Sequence, residues 1–410
     1  MSEEKLVPKL RFSGFDDEWI NTDLGSISSD EMYGMNSAAI DFDGLNKYIR
    51  ITDISESSNK FVPNPLTSPD GKLDEKFKLK EGDIVFARTG ASTGKTYIYN
   101  PDDGNLYFAG FLIKFHIDKA HPKFVFYNTL KDEYSNWVNV MSVRSGQPGI
   151  NSNEYKKLPI NLPSFNEQRK ISNFLESIDR KIELLEKKHY YYNDFKKYLL
   201  QQIFAQKLRF NINSSYSNYK LKDIVTKFST GLNPRKNFKL NEGGENYYVT
   251  IKNFQNGKLN LDSKCDKIND NALKLINKRS DLQKDDLIFA SIGRVGEVYL
   301  IKNNPKNWNI NESVFSLRPD KRFILPKFLY YLLSSNKIQY YFKSNITGST
   351  FKSIKMKDLK NTPVTIPDNI ELQIEIIDFL TIIDLKIDNL KNELDNLIKF
   401  KSGLLQQMFV

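Results

Sequence analysis

The stretch NEQRKISNFLESIDRKIELLEKKHYYYNDFKKYLLQQIF, Asn166 to Phe204, lies without a gap on IELQIEIIDFLTIIDLKIDNLKNELDNLIKFKSGLLQQMF, which starts at Ile370. Phe174 and Leu175 fall on Phe379 and Leu380, Asp179 on Asp384, Lys181 on Lys386, and Leu199-Leu200-Gln201-Gln202 on Leu404-Leu405-Gln406-Gln407, all at a shift of 205 residues. Internal similarity held in register over this length marks a duplicated architecture. Within the first copy, Ile171, Leu175, Ile178, Ile182, Leu185, His189, Tyr192, Lys196, Leu199 and Ile203 alternate steps of four and three. The second copy repeats the series as Ile376, Leu380, Ile383, Ile387, Leu390, Leu394, Leu397, Lys401, Leu404 and Met408. A sustained heptad predicts two helices that pair as a coiled coil, each spanning roughly 58 Å at about 1.5 Å per residue. Lys196 and Lys401 occupy matched seam positions, where a lysine either sets register or snorkels out from a helix end.

Upstream of each helix the likeness continues more loosely. GDIVFARTGASTG from Gly82 matches DDLIFASIGRVG from Asp285, YIRITDI from Tyr48 matches YVTIKNF from Tyr248, and YKKLPINLP ending at Pro163 matches LKNTPVTIP ending at Pro367. Even PKLRF from Pro8 recurs as QKLRF from Gln206. Short alternating runs such as DIVFAR, TYIYN, LIFASI and VFSLRP, punctuated by Gly, Pro, Asn and Asp, predict strands. The segments Pro122–Val140 and Pro326–Ser344 both open on Pro-Lys-Phe, which predicts one helix in each. The expected fold is α+β, in four parts: a globular domain over 1–165, a helix over 166–207, a second domain over 208–367 and a second helix over 368–410.

Bulk composition restricts the chemistry. The 410 residues carry 60 Lys plus Arg against 50 Asp plus Glu, a formal charge of +10, which favours a polyanionic partner. One cysteine, Cys265, excludes a disulfide framework and a cysteine zinc site, and only His116, His121 and His189 offer imidazole. No chain-borne metal is expected. The amino-terminal MSEEKLVPKLRF lacks a basic segment followed by an apolar run, and IEIIDFLTIIDLKI is broken by charges, so a cytoplasmic protein without a membrane span is expected.

FARTGASTGKTYIY, Phe86 to Tyr99, has the letters of a phosphate-binding loop but not its spacing. A Walker A loop needs four residues between its first glycine and Gly-Lys-Thr, followed by a helix. Gly90 and Gly94 are separated by three, and a strand pattern follows. Asp70 with Asp74, Glu75 and Lys76 has the letters of a metal-dependent nuclease site, but the second copy has no equivalent. A base methyltransferase would show an (Asp/Asn)-Pro-Pro-aromatic loop, and the chain contains no Pro-Pro. No histidine stands in a nucleophile setting.

Basic, glycine-containing loops recur in both halves and carry the stronger signal. They combine cations with amide and hydroxyl side chains, the groups that bond phosphates and base edges. Candidates for DNA contact in the first half are Arg88, Thr89, Ser92, Thr93 and Lys95, with Arg144, Ser145, Gln147 and Asn151 from the segment Ser142–Lys157. In the second half they are Ser291 and Arg294, with Thr347, Ser349, Thr350, Lys352 and Lys355 from Asn345–Lys360.

The combined pattern resembles the specificity subunit of type I restriction-modification systems along the whole chain. The resemblance is carried by the shift of 205, the Glu167-Gln168-Arg169-Lys170-Ile171 opening of the first helix after Pro159 and Pro163, and the two Leu-Leu-Gln-Gln endings. The second helix departs from that opening, reading Leu372-Gln373-Ile374-Glu375. The resemblance implies two target-recognition domains reading halves of a bipartite site in double-stranded DNA, with an antiparallel helix pair fixing the spacer. It also implies docking of two methyltransferase subunits and, through them, restriction and translocase subunits. Such a subunit is non-catalytic and holds no cofactor; S-adenosylmethionine, ATP and Mg²⁺ belong to the partners. Recognition loops vary freely in the family, so the candidate residues rest on loop chemistry alone. Two other readings stay open: a nucleotide-binding enzyme using Gly90 to Thr96, and a coiled-coil scaffold without DNA affinity.

Overall fold

The computed structural model describes residues 6–235, 237–346 and 352–410. The chain divides into two compact units, one formed by Met1–Glu186 with Asn392–Val410 and the other by Lys187–Lys391.

The first unit is organised on a four-stranded antiparallel sheet in the order Ser28–Tyr33, Leu112–Ile117, Asp83–Ala87, Thr96–Ile98. All five residues of Asp83–Ala87 are buried, because this strand has a core on each face. Successive side chains point to opposite sides. Ile84 and Phe86 therefore join a core with Phe124, Val125, Ile171 and Leu175, while Val85 and Ala87 join another with Ile49, Leu106 and Phe108. The second unit repeats the arrangement on the strand Leu287–Ala290: Leu287 and Phe289 face Phe328, Leu332 and Ile376, and Ile288 and Ala290 face Val249, Trp308 and Ile310. Each unit also contains a parallel strand pair, Lys47–Ile49 with Leu106–Phe108 and Asn246–Val249 with Trp308–Ile310.

Where one helix is expected after each Pro-Lys-Phe, two are found: Pro122–Asn128 and Asp132–Met141 in the first unit, Pro326–Ser334 and Asn336–Ser344 in the second. Hydroxyl side chains make the breaks. Thr129 donates through Oγ1 to the Phe126 carbonyl at 2.7 Å, and Ser335 through Oγ to the Leu332 carbonyl at 2.6 Å, each competing with the next helical bond. The helix Asp270–Ser280 is an addition to the expected pattern; the Asn269 side chain caps it by accepting from the Ala272 amide, and Asp281 ends it in the left-handed region at φ 46°.

The long helices run Phe165–Phe204 and Ile370–Gln407. In the first unit Ile171, Leu175 and Ile178 pack with Leu404, Leu405 and Met408; in the second, Leu199 and Ile203 pack with Leu372, Ile376 and Leu380. In both, the beginning of one helix meets the end of the other, so the segments pair antiparallel. The seam lysines find matched partners. Lys401 reaches Asp179 at 2.5 Å in the first unit, and Lys196 reaches Asp384 at 2.6 Å in the second. Each aspartate also accepts from a tyrosine of the short helix behind it, Tyr127 at 2.7 Å and Tyr331 at 2.6 Å. Burial and the neighbouring carboxylate hold both phenols protonated, their pKa values raised far above the usual range. Gln168 and Gln373 complete the attachment, accepting from the amides of His121 and Leu325 respectively.

Candidate nucleic-acid interface

In each unit the central buried strand runs directly into a loop that turns on two glycines. Gly90 and Gly94 have φ of +77° and +90°; Gly293 and Gly296 have +69° and +94°. The second glycine of each pair is also pressed against a helix. A Cβ on Gly94 would lie 2.6 Å from Val138 Cγ1, and one on Gly296 would lie 2.6 Å from Gln339 Oε1. Tyr134 donates to the Gly94 carbonyl and Gln339 to that of Gly296. What the repeat preserves here is a tight turn docked on a helix.

The two candidate loops of each half meet. In the first unit the Gly90 amide donates to the Pro148 carbonyl at 2.9 Å, the Ile150 amide to that of Arg88 at 2.9 Å, and Thr89 bridges Gly149. In the second unit the Gly293 amide donates to the Lys352 carbonyl at 3.1 Å, the Ile354 amide to that of Ser291 at 2.9 Å, and Ile292 bridges Ser353. Loops distant in sequence are thus stitched into one seam at the same place in both units.

These bonds bear on the nucleotide reading. The amides that a phosphate would need are used internally: besides Gly90, Thr93 donates to Gly90, Gly94 to Ala87 and Lys95 to Ser92. A short 3-10 turn at Gly90–Ser92 leads to the strand Thr96–Ile98, so the loop does not open a helix as a phosphate-binding loop does. The carboxylates around residue 74 have local duties as well. Asp74 caps a 3-10 turn by accepting from the Lys76 amide, and Glu75 accepts from the Tyr107 hydroxyl at 2.9 Å.

The candidate side chains differ in what they have left to offer. Lys95 is turned inward, donating to the Ile54 carbonyl at 3.1 Å and pairing with Glu56 at 2.5 Å. Arg144 grips Glu154 with Nη2 and donates through Nη1 to the Met141 and Val143 carbonyls. Asn151 caps the turn Ser152–Tyr155, and Thr93 donates to the Gly90 carbonyl. Ser291 is buried and donates to the Ser313 carbonyl; Arg294 donates to Gln255 and to the Ile251 and Phe254 carbonyls. Ser145 and Gln147 are exposed, Thr89 and Ser92 half-buried. Lys355 stands at the amino-terminal cap of the helix Met356–Lys360, and Lys352 enters the seam through its carbonyl. Thr347, Ser349 and Thr350 lie outside the described residues.

Arg88 is placed differently. Its guanidinium carbon lies 5.0 Å from the centre of the Tyr33 ring and 5.8 Å from that of Phe111. Neither aromatic was a candidate in the sequence. Phe111 follows Gly110 at a strand turn, a position whose exposure no periodicity reveals.

A buried acid with a basic partner marks the start of each central strand. Asp83 lies 2.8 Å from His116 Nδ1, where Asp286 accepts from Arg318 Nε at 2.9 Å. Burial raises the Asp83 carboxyl above its ordinary value, and His116 opposes the shift.

The family model for the type I restriction modification DNA specificity domain matches residues 20–190 and 213–399. Among curated relatives, the chain is 28% identical over 131 residues to the EcoBI specificity subunit of Escherichia coli, covering 32% of this chain and 27% of that protein. It is 30% identical over 110 residues to the HindI specificity subunit of Haemophilus influenzae, covering 26% of this chain and 24% of the relative. These matches span about a quarter of each relative. A putative MjaX specificity subunit from Methanocaldococcus jannaschii is 24% identical over 339 residues, covering 80% of this chain and 78% of its own. The fold is shared with the S subunit of a type I restriction-modification system from M. genitalium, at a TM-score of 0.58 and 18% identity over 98% of this chain and 99% of that one. A chain from a structure of type I complex assembly and conformational transition gives 0.57 and 18%, covering 97% of this chain and 98% of its own.

Proposed function

The chain belongs to the family of type I restriction modification DNA specificity domains, and on that premise we propose that it is the sequence-reading subunit of a type I complex. Each unit reads one half of a bipartite site in double-stranded DNA. The division of labour follows the four segments 1–165, 166–207, 208–367 and 368–410, with the loops of the first and third on DNA and the helices of the second and fourth setting the spacer. Two methyltransferase subunits dock on this frame, and restriction subunits act through them. The chain itself is non-catalytic; S-adenosylmethionine, ATP and Mg²⁺ are handled by the partners. Its place is the cytoplasm, beside the DNA, and among the described residues no helix is long and apolar enough to cross a membrane.

One observation carries the reading: both units stitch the same two loops together at the end of the same buried strand, yet fill the matched position with Arg88 in one and Ser291 in the other. A constant frame that offers a cation at this place in one unit and none in the other is what separate half-sites require. The net charge of +10 supports a polyanionic target. Sequencing the methylome of a host carrying and lacking the gene tests it. A bipartite methylated motif that appears only with the gene is expected; an unchanged methylome, with weak sequence-independent binding by the chain, would return it to the scaffold reading.

A further inference from the structure

We propose that Arg88 determines specificity in the first unit by donating from its guanidinium fork to O6 and N7 of a single guanine. The inference rests on the reading of that unit as a DNA-binding one. Three of its candidate residues are cations, and two of these are occupied: Lys95 by Glu56 and a carbonyl, Arg144 by Glu154 and two carbonyls. The guanidinium of Arg88 makes no hydrogen bond or ion pair with any described residue, and its Nε is buried without a partner. Since the Nη atoms are neither bonded nor buried, they form the accessible end of the side chain.

That end rests against two aromatic rings. Tyr33 and Phe111 flank the cation, and both are themselves anchored: the Tyr33 hydroxyl accepts from the Ser152 amide at 3.1 Å, and the Phe111 carbonyl accepts from the Arg88 amide at 3.1 Å. Stacking against rings suits a planar, weakly hydrated guanidinium and not an ammonium. A fork fixed in this way matches the paired acceptors of guanine in the major groove, the commonest specific arginine contact. The surroundings also suit a base edge better than a phosphate. Phe111 is 59% exposed, an apolar neighbour of the kind that touches a thymine methyl, and the exposed Gln147 lies against Gly90, two residues along the chain from Arg88. The matched position of the second unit offers no fork, because Ser291 is buried and bonded to Ser313. The dependence on guanine at this position therefore belongs to one half-site.

The test is the methylome of a host carrying the full chain with its partner genes, as wild type, Arg88→Ala, Arg88→Lys and Phe111→Ala. One position in one half of the motif should lose its guanine in Arg88→Lys and Arg88→Ala, with preference falling roughly 5- to 150-fold, as loss of one bidentate contact implies. The other half should be unchanged, and Phe111→Ala should weaken the same guanine less. An intact motif in Arg88→Lys, or methylation reduced evenly with the motif preserved, would assign Arg88 to a phosphate and overturn the proposal. If Arg88→Ala lowers the melting temperature and abolishes methylation, Arg88→Lys decides. A wild-type chain that yields no bipartite motif would instead defeat the DNA-reading function beneath the proposal.

Discussion

A single aspartate joins three elements in each unit. Asp179 binds Lys401 from the other helix and Tyr127 from the globular part, and Asp384 does the same with Lys196 and Tyr331. Removing the tyrosine hydroxyl leaves a partly desolvated carboxylate short of one donor, so Tyr127→Phe should cost about 1 kcal/mol and Asp179→Ala about 1 to 3 kcal/mol in urea unfolding of the full chain. Equal stability in Asp179→Ala would show that the cluster is ornamental. The lysines and aspartates were legible in the sequence, because both recur at the shift of 205. Their contact was not, since one sequence does not state the offset at which antiparallel helices pair, and Tyr127 showed only as one of several aromatics. A surface carboxylate offers a pH test. Asp43 accepts first from the Asn46 amide, then from the Asn46 side chain and the Leu45 amide, and its pKa is lowered to about 2. Its contribution is present above the ordinary aspartate value of about 3.9 and is lost as pH falls through the folded value. An NMR titration of this carboxyl should show a midpoint near 2; one near 4 would mean that the loop bonds are absent in solution.

The opening of the two long helices shows how one element can be attached in two ways. Glu167 is 1% exposed and is clasped by Arg11 from the segment that precedes the first strand, at 2.8 Å and 2.9 Å. The matched helix position is Leu372, buried at 4%, and the matched arginine, Arg209, lies over the Tyr216 ring instead. The departure visible in the sequence is thus a swap of a buried ion pair for an apolar contact, while the aromatic part of the attachment stays: Phe12 packs edge-on against Phe174 and Phe210 against Phe379. Arg11→Met alone should cost about 3 to 5 kcal/mol, because it strands a buried carboxylate, whereas Arg11→Met with Glu167→Leu should be close to neutral. A thermal-unfolding double-mutant cycle checks this, and additivity of the two changes would contradict it. Elements with strong periodicity or matched loops were legible. The split of the Pro-Lys-Phe helices was not, because it depends on one hydroxyl bonding its own turn, and Asp270–Ser280 lies in a stretch with no counterpart in the first half to draw attention to it.

At the scale of the whole molecule, the duplication predicts modular exchange. Replacing residues 1–165 with the corresponding part of a relative should alter one half of the methylated motif and leave the other intact, and a simultaneous change in both halves would mean that the units do not read independently. The units are not equivalent in chain order, however. The second is a continuous run from Lys187 to Lys391, but the first is closed by Asn392–Val410, whose Leu404, Leu405 and Met408 cover Ile171, Leu175 and Ile178. During synthesis the covering residues leave the ribosome about 230 residues after the strip they cover. At about 5 to 20 residues per second, that strip stays bare for roughly 10 to 45 seconds. The unit that begins translation first is therefore the last to close, and a nascent chain halted before residue 392 keeps that apolar surface open however far its second unit has folded.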